Sequence, residues 1–119
     1  MKVFTALVLL ITGLNSSGYM QDTEASTRYY ASFSGYHIPF RPTHELNPAE
    51  VKGLSAYYVA GYVGKRLMSF EKIVDGARLW LDEYTYWPDG KTLLHRRMTK
   101  EDGSVVEQDF DRRGRIIKE

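Results

Sequence analysis

The chain contains no cysteine and only three histidines among its 119 residues. Without cysteine there is neither a disulfide framework nor a thiolate metal site. The histidines, His37, His44 and His95, have spacings that match no zinc-binding pattern, and there is no HExxH sequence. We therefore expect ordinary polar roles for the histidines, and no metal and no cofactor.

Local catalytic motifs are also missing. Ser34 precedes Gly35, but no GxSxG sequence surrounds it. Asp82 and Glu83 are adjacent carboxylates, yet neighbouring residues of a strand point to opposite faces, so the pair cannot flank one glycosidic bond. The sequence favours a protein that is not an enzyme, and an enzyme whose site is assembled without local motifs stays open as the alternative.

No charge of either sign predominates, with 16 basic and 15 acidic residues. Two short basic clusters occur, at residues 95–97 and 112–115, and acidic residues flank both. A nucleic-acid interface needs a broad basic face that releases counterions on binding. We therefore expect no nucleic-acid partner.

Long hydrophobic runs are absent as well, because the longest, residues 3–14, has twelve residues, whereas a membrane-spanning helix needs roughly 20. Lys2 precedes this run, and Ser16 and Gly18 follow it at a small-x-small spacing. That layout predicts a secretory signal peptide, residues 1–18, cleaved after Gly18. We expect a periplasmic or secreted protein without stable membrane insertion after cleavage. An uncleaved anchor or a buried N-terminal strand is the alternative.

The remaining chain is long enough for one domain. Residues 19–27 are polar and are expected to be mobile, and residues 28–119 to form a single β-rich domain. Asn47 as N-cap, Pro48 at the first helical position and Glu50 three residues after the cap predict one short helix. The expected fold is mostly β, α+β at most.

Glycines 64, 76, 90, 103 and 114 recur every 11 to 14 residues between strand-forming segments. This spacing predicts an antiparallel meander sheet of about five to seven strands. Three of these glycines follow an aspartate, as is favoured in two-residue hairpin loops. None of the three pairs has the further acidic ligands of an EF-hand.

Two-residue turns, at these pairs and at Arg113-Gly114, would fix the strand register. One face would then carry Leu67, Trp80, Tyr84, Tyr86, Leu93, Val106, Phe110 and Ile117, with His95 opposite Tyr84 and Phe110. The other face would carry Phe70, Leu81 and Met98 beside a row of alternating charge formed by Glu83, Arg96, Asp109 and Lys118. We expect the first face to be the better core.

Two resemblances support this fold class. Alignment of Gly90 on Gly114 places Tyr86 over Phe110 and Lys91 over Arg115, which resembles YD-type and MORN-like strand-turn-strand repeats. The stretches YYASFSGYHIPF, AYYVAGYVGKRLMSFEKIVDG and YTYWPDGK resemble a family of small bacterial proteins of unknown function, over residues 29–119. The resemblance implies a compact, mostly β domain and brings no catalytic motif.

Nine tyrosines and two tryptophans are many for this length, and most are expected to pack the sheet. Two places favour binding: the irregular segment 34–45, whose two prolines restrict its backbone, and the tip of the sheet next to an Asp-Gly pair. The predicted partner-binding residues are Tyr36, His37, Phe40, Arg41, His44 and Trp87. The alternative for residues 38–40 is that they only seal one edge of the sheet.

Together these features predict an exported, non-enzymatic protein-binding domain. The expected role is that of an immunity or inhibitor protein that occludes a periplasm-acting toxin or enzyme. A small envelope hydrolase, or a carbohydrate-binding protein that stacks sugars on Trp87 and nearby tyrosines, is the alternative from another class. A structural subunit that self-associates into a homo-oligomer stays open as a third interpretation.

Overall fold

A computed structural model describes residues 23–118, so the signal peptide predicted for residues 1–18 lies outside the described residues. The described residues form eight strands and one helix, in the order β1 (Ala25–Ser34), β2 (Arg41–Leu46), α1 (Pro48–Lys52), β3 (Ala56–Val63), β4 (Arg66–Val74), β5 (Ala77–Tyr86), β6 (Leu93–Thr99), β7 (Val105–Phe110) and β8 (Ile116–Lys118). Within the described residues, no helix combines the length and the hydropathy required to cross a bilayer.

All eight strands belong to one antiparallel sheet with the order β2-β1-β3-β4-β5-β6-β7-β8. The predicted mostly β fold with a meander is confirmed, and the strand count exceeds the expected five to seven because the segment before the helix forms two strands. The domain also begins earlier than residue 28. Ala25 pairs with Val63 and Thr27 with Gly61, so this part of the expected mobile segment belongs to the sheet.

The short helix forms where its capping residues predict it. Asn47 Oδ1 accepts a hydrogen bond from the Glu50 backbone N–H at 2.9 Å, and Glu50 Oε1 accepts one from the Asn47 N–H at 2.8 Å. This reciprocal pair satisfies two of the donors that a helix start leaves free. No residue of α1 is buried, so the helix adds little to the core.

The core lies on one face of the sheet. Its buried hydrophobic residues are Tyr30, Ala60, Leu67, Phe70, Tyr84, Leu93 and Phe110. Phe70 is at its centre, opposite Ala60 on β3 and Asp82 on β5, and its side chain has 0% exposure. The Tyr58 ring stacks on it with centroids 5.4 Å apart, and the Phe33 ring meets it edge-on at 5.4 Å. Such aromatic pairs stabilise the fold beyond the area they bury.

The loops explain where the predicted register holds. Asp75-Gly76 is a two-residue turn as predicted, with φ values of 50° and 82° and with Val74 paired to Ala77. The Asp102-Gly103 loop encloses three residues instead, since the Lys100 N–H donates to the Ser104 carbonyl. The Arg113-Gly114 loop also encloses three, and the Asp89-Gly90 loop encloses four, between Trp87 and Thr92.

Four β-bulges shift the register further, between Gly61/Tyr62, Lys72/Ile73, Thr85/Tyr86 and Asp109/Phe110. Each extra residue exchanges the two faces of the strand that follows it.

The predicted placement of several side chains is therefore wrong. Phe70 and Met98 lie on the core face, opposite Asp82. Ile116, not Ile117, pairs with Phe110, and Ile117 is exposed. The predicted row of Glu83, Arg96, Asp109 and Lys118 does not form. Arg96 pairs with Tyr84 on the core face, and the other face carries the pairs Glu83–Arg97, Arg97–Glu107 and His95–Asp109.

The aspartates of three loops cap their own backbone. Asp102 Oδ1 accepts hydrogen bonds from the Ser104 N–H and hydroxyl, and Asp111 Oδ1 accepts from the Arg113 and Arg115 N–H groups. Asp89 does the same in its loop, with Oδ2 accepting from the Thr92 hydroxyl at 2.6 Å. These carboxylates stabilise turns, which agrees with a structural role for the Asp-Gly pairs.

The Asp89 carboxyl is expected to titrate near pH 2. Hydrogen bonds from the Thr92 hydroxyl, the Thr92 N–H and the Lys91 N–H favour its charged form and lower its pKa to about 2. Because this folded-state pKa is below the unfolded value of about 3.9, the stabilisation is complete above pH 4 and is lost as the pH falls through 2. Carboxyl-detected NMR titration measures it directly. An ordinary pKa near 4 for Asp89 would contradict the capped loop, and Asp89→Asn should make the loss of stability in acid shallower.

Candidate interaction surface

The irregular segment 35–40 lies over the core face of the sheet. Phe33, near the end of β1, and Phe40, just before β2, are its two aromatic anchors, with ring centroids 4.9 Å apart. Phe40 also meets Trp80 at 5.9 Å and Phe70 at 6.3 Å. Ile38 packs against the same cluster. The ends of the segment are therefore fixed by apolar burial.

A buried polar network lies next to these anchors. Asp82 has 0% exposure, and Arg96 Nε donates to its two carboxylate oxygens at 2.8 and 3.0 Å. Arg96 Nη1 also donates to Gln108 Oε1 at 3.0 Å. The network is complete, because no buried side-chain polar atom in residues 23–118 lacks a hydrogen-bond partner. A buried charge is tolerated only when it is paired in this way.

Tyr84 joins this network to the segment. Its hydroxyl donates to Asp82 Oδ2 at 2.8 Å and accepts from the Phe40 backbone N–H at 3.2 Å. The Arg96 guanidinium lies 5.2 Å from the centre of the Phe40 ring. Burial, and next the Asp82 charge, raise the pKa of Tyr84 far above its usual value, so the hydroxyl keeps its proton. The Tyr84 hydroxyl therefore stays able to donate to Asp82 while it accepts from the Phe40 N–H, and these two hydrogen bonds hold the Phe40 backbone to the sheet.

Between the anchors, the segment presents two side chains to solvent. Tyr36 is 93% exposed, and His37 is exposed beside it. A Cβ at Gly35 would approach the Phe33 ring to 3.3 Å, so the chain passes closely over that anchor. A fully exposed tyrosine on a backbone fixed at both ends is the most prominent contact group of this face.

The other residues predicted for this segment have different positions. Phe40 is half-buried, because its ring belongs to the aromatic cluster. Arg41 is exposed at the start of β2, opposite Ser34. His44 lies within β2 with a φ of 62°, and its Nδ1 is 2.8 Å from Ser32 Oγ on the neighbouring strand. Phe40 thus anchors the segment to the aromatic cluster, while Tyr36, His37, Arg41 and His44 are exposed.

Trp87 is half-buried at a different place. Its Nε1 donates to the Asp111 carbonyl at 3.2 Å, and the Arg112 guanidinium lies 4.6 Å from its ring centre. Because successive strands are antiparallel, Ser34 lies at the end of the sheet with the Asp75-Gly76 turn, and Trp87 follows β5 at the opposite end. The structure therefore separates Trp87 from the strand end where the segment 35–40 begins, and gives its indole a role in joining two loops.

The opposite face carries a charged cluster. His95 Nδ1 is 2.6 Å from Asp109 Oδ1, and Arg97 Nε is 3.5 Å from Glu107 Oε2. Across residues 23–118, no group of three or more His, Asp or Glu side chains has a geometry that could hold a metal ion.

The buried Asp82–Arg96 pair is the feature that sequence reasoning missed, because the assumed register placed Arg96 on the other face. One signal could have found it. Asp82 lies two residues from both Trp80 and Tyr84, which were predicted to be core residues, and alternate residues of a strand point to the same face. A carboxylate at such a position needs a buried cation as partner.

The comparisons with known proteins agree with the resemblance noted from the sequence. No curated protein and no solved structure is significantly similar to the chain. A family model described as a family of unknown function (DUF6156) matches residues 22–119, which is most of the chain. The protein therefore belongs to this family.

Proposed function

We propose that the domain binds another protein through the exposed part of the segment 35–40, and that it acts as an exported immunity or inhibitor protein against a periplasm-acting toxin or enzyme. The observation that carries the proposal is the 93% exposure of Tyr36 between two aromatic anchors. Tyrosine supplies a large, stiff and amphipathic contact area and is enriched among the residues that dominate binding energy.

The segment 35–40 is held in place before a partner binds, which lowers the entropic cost of binding. Phe33 and Phe40 are ordered by the core, and the Tyr84 hydroxyl holds the Phe40 backbone. Binding then costs little further ordering of the chain, which improves affinity in the same way as preorganised inhibitor loops do. Occlusion of a cleft by such a loop requires no chemistry of its own.

The exposed cation that directly follows the segment 35–40 indicates the kind of partner surface. Arg41 is exposed, and no hydrogen bond or ion pair within residues 23–118 engages its side chain. A free guanidinium can form a bidentate pair with a carboxylate of the partner. An acidic cleft lined by apolar groups would complement Tyr36 and Arg41 together.

Export is part of the same proposal. It rests on Lys2, the apolar run of residues 3–14 and the small residues before the cleavage position after Gly18. The mature domain would meet its partner in the periplasm or outside the cell.

The test uses the mature protein as bait in lysates of its own species and of competitors. Tyr36→Ala should weaken capture of a stoichiometric protein partner by about 2 kcal/mol or more, roughly 30-fold, without changing thermal unfolding. Leu54→Ala is the matched control, because Leu54 is also an exposed apolar residue but lies after the helix. Equal capture by both variants would remove the segment from the interface, and retention only on cell-wall glycan would favour a carbohydrate-binding function.

One observation favours self-association as a second candidate function. The last two strands expose four aliphatic side chains: Val105, Val106, Ile116 and Ile117. Among the strands of residues 23–118, β8 is the last in the sheet order and has no neighbour on its outer side. An apolar sheet edge of this kind can pair with a second copy. Sedimentation velocity over a range of protein concentrations distinguishes a dimer from a monomer.

A further inference from the structure

The sheet end that carries Trp87 also has a cavity that the proposed function does not use. This open cavity, of about 390 Å³, lies between the β3–β4 turn and the β5–β6 loop. Its lining residues are Val63, Lys65, Arg66, Asp89, Gly90 and Lys91. The volume is at the lower end of the range for small-ligand sites, about 300 to 1,000 Å³.

The lining of this cavity has an excess of positive charge. Lys65, Arg66 and Lys91 contribute three positive charges against the single carboxylate of Asp89. Among the residues that the structure describes, no hydrogen bond or ion pair engages any of the three cationic side chains. By contrast, Arg28, Arg78, Arg96 and Arg97 all have acidic partners. Three unpaired cations around one concavity produce a local positive field in a chain that is nearly neutral overall.

Asp89 does not neutralise the cations by contact. Its Oδ1 accepts from the backbone N–H groups of Lys91 and Thr92, and its Oδ2 accepts from the Thr92 hydroxyl. The carboxylate is thus turned into its own loop, where it occupies the backbone donors that could otherwise bind an anion. An incoming anion would therefore contact the side chains of the three cationic residues.

Arg66 is the best placed of the three. A Cβ built on Gly90 would lie 3.8 Å from Arg66 Cζ, so the guanidinium lies directly over the glycine. Gly90 has a φ of 71°, a conformation that glycine adopts without strain, and its lack of a side chain leaves this space to the guanidinium. Arg66 is half-buried, whereas Lys65 and Lys91 are exposed at the rim. The cavity therefore has one half-buried cation and two exposed ones.

We propose that this cavity binds a tetrahedral oxyanion, either a free phosphate or sulfate ion or the same group on a small ligand. The planar guanidinium of Arg66 offers paired N–H donors that match two oxygens of such a group, and the Lys65 and Lys91 ammonium groups close around the remaining charge. Three cations suit a doubly charged anion better than a single carboxylate. This site lies at the opposite end of the strands from Ser34 and is independent of partner binding at Tyr36.

The test is an amide NMR titration of the folded protein with inorganic phosphate, sulfate and acetate at low ionic strength. We expect saturable shifts at Lys65, Arg66, Gly90 and Lys91 for phosphate and sulfate, and an affinity that falls as sodium chloride rises. Arg66→Gln and Lys91→Gln should each weaken phosphate binding about tenfold or more. Lys52→Gln, which removes the same charge from the exposed helix, should leave it unchanged.

Two other results of the titration would contradict the proposed anion site. Shifts that do not saturate, or an equal loss with Lys52→Gln, would show that phosphate only screens the surface. Acetate binding as tight as phosphate binding would overturn the assignment to a doubly charged tetrahedral anion. Lys91 is exposed in a loop, so Lys91→Gln tests the site even if Arg66→Gln disturbs folding. Phosphorylated and sulfated sugars then separate a ligand-borne group from the free ion, by a gain in affinity over the inorganic anion.

Discussion

Asp82→Ala should lower the free energy of unfolding by about 3–5 kcal/mol, which is the usual effect of removing one partner from a buried ion pair. Asp82 has 0% exposure, and the side chain of Arg96 is only 12% exposed. Without the carboxylate, the Arg96 guanidinium keeps Gln108 as a neutral partner but loses its counter-charge. The Tyr84 hydroxyl loses its acceptor as well. A domain of this size has a total stability of about 5–15 kcal/mol, so the variant should lose a large share of its stability.

Urea unfolding, followed by tryptophan fluorescence, measures this loss. The matched control is Glu83→Ala, because Glu83 is the next residue along β5 and is exposed on the other face. It should change stability by no more than about 0.5 kcal/mol. Equal losses for Asp82→Ala and Glu83→Ala would show that the buried pair does not form.

A double-mutant cycle separates the pair from its surroundings. Arg96→Met alone leaves the Asp82 carboxylate buried and without its cation, whereas Asp82→Ala with Arg96→Met removes both charges. The double variant should be more stable than either single variant, because replacing both charges by apolar groups avoids an uncompensated ion. Additive losses would contradict a direct interaction between the two side chains.

The sequence was sufficient for the element types. The glycine spacing after Ala56 and the capping residues Asn47 and Glu50 predicted the meander and the helix, because positive φ values and cap hydrogen bonds are local requirements. The predicted number of strands was too low because β2 depends on pairing with another strand and not on a local signal. β2 is held by pairing with β1, from Ser34 with Arg41 to Tyr29 with Leu46, and two prolines between Ser34 and Thr43 concealed its strand character.

Register was harder to predict than element type, for a physical reason. Glycine in the left-handed region ends both a two-residue loop and a three-residue loop, so the pair Asp102-Gly103 is compatible with either. The bulges leave still less trace, because one extra residue such as Met68 or Leu79 differs little from its neighbours. A single slip reverses the two faces, so the errors at Phe70 and Arg96 come from this one source.

The candidate site also separates features with a local cause from features that depend on distant contacts. Exposed tyrosine in an irregular segment was a reasonable expectation for Tyr36, since no strand periodicity assigns it to the core. Phe40 and Trp87 differ, because their positions depend on contacts with distant residues, Tyr84 for Phe40 and Asp111 for Trp87. Composition could suggest these aromatic residues, but not whether each one faces solvent or holds a loop.

Phe70→Ala should cost about 3–5 kcal/mol of stability, as expected for a fully buried aromatic residue. Phe70 has 0% exposure and is surrounded by the rings of Phe33, Phe40, Tyr58 and Trp80. The truncation would open a cavity beneath the segment 35–40, since both of its aromatic anchors contact this ring. We therefore also expect faster hydrogen exchange at the Phe40 amide, whose acceptor is the Tyr84 hydroxyl.

Leu81→Ala is the control that distinguishes the two registers. The assumption of two-residue turns placed Phe70 and Leu81 on the same face, whereas the structure pairs Leu81 with Glu71 on the face opposite to the core. Leu81 is half-buried, so its truncation should cost roughly 1–2 kcal/mol, less than the loss at Phe70. Phe70→Leu, which keeps most of the volume, should cost less than about 1.5 kcal/mol and provides a folded variant if Phe70→Ala does not fold. Equal losses at Phe70 and Leu81 would contradict the bulged register. That register places Phe70 at the centre of the aromatic cluster and Leu81 on the opposite face, so the two losses should differ.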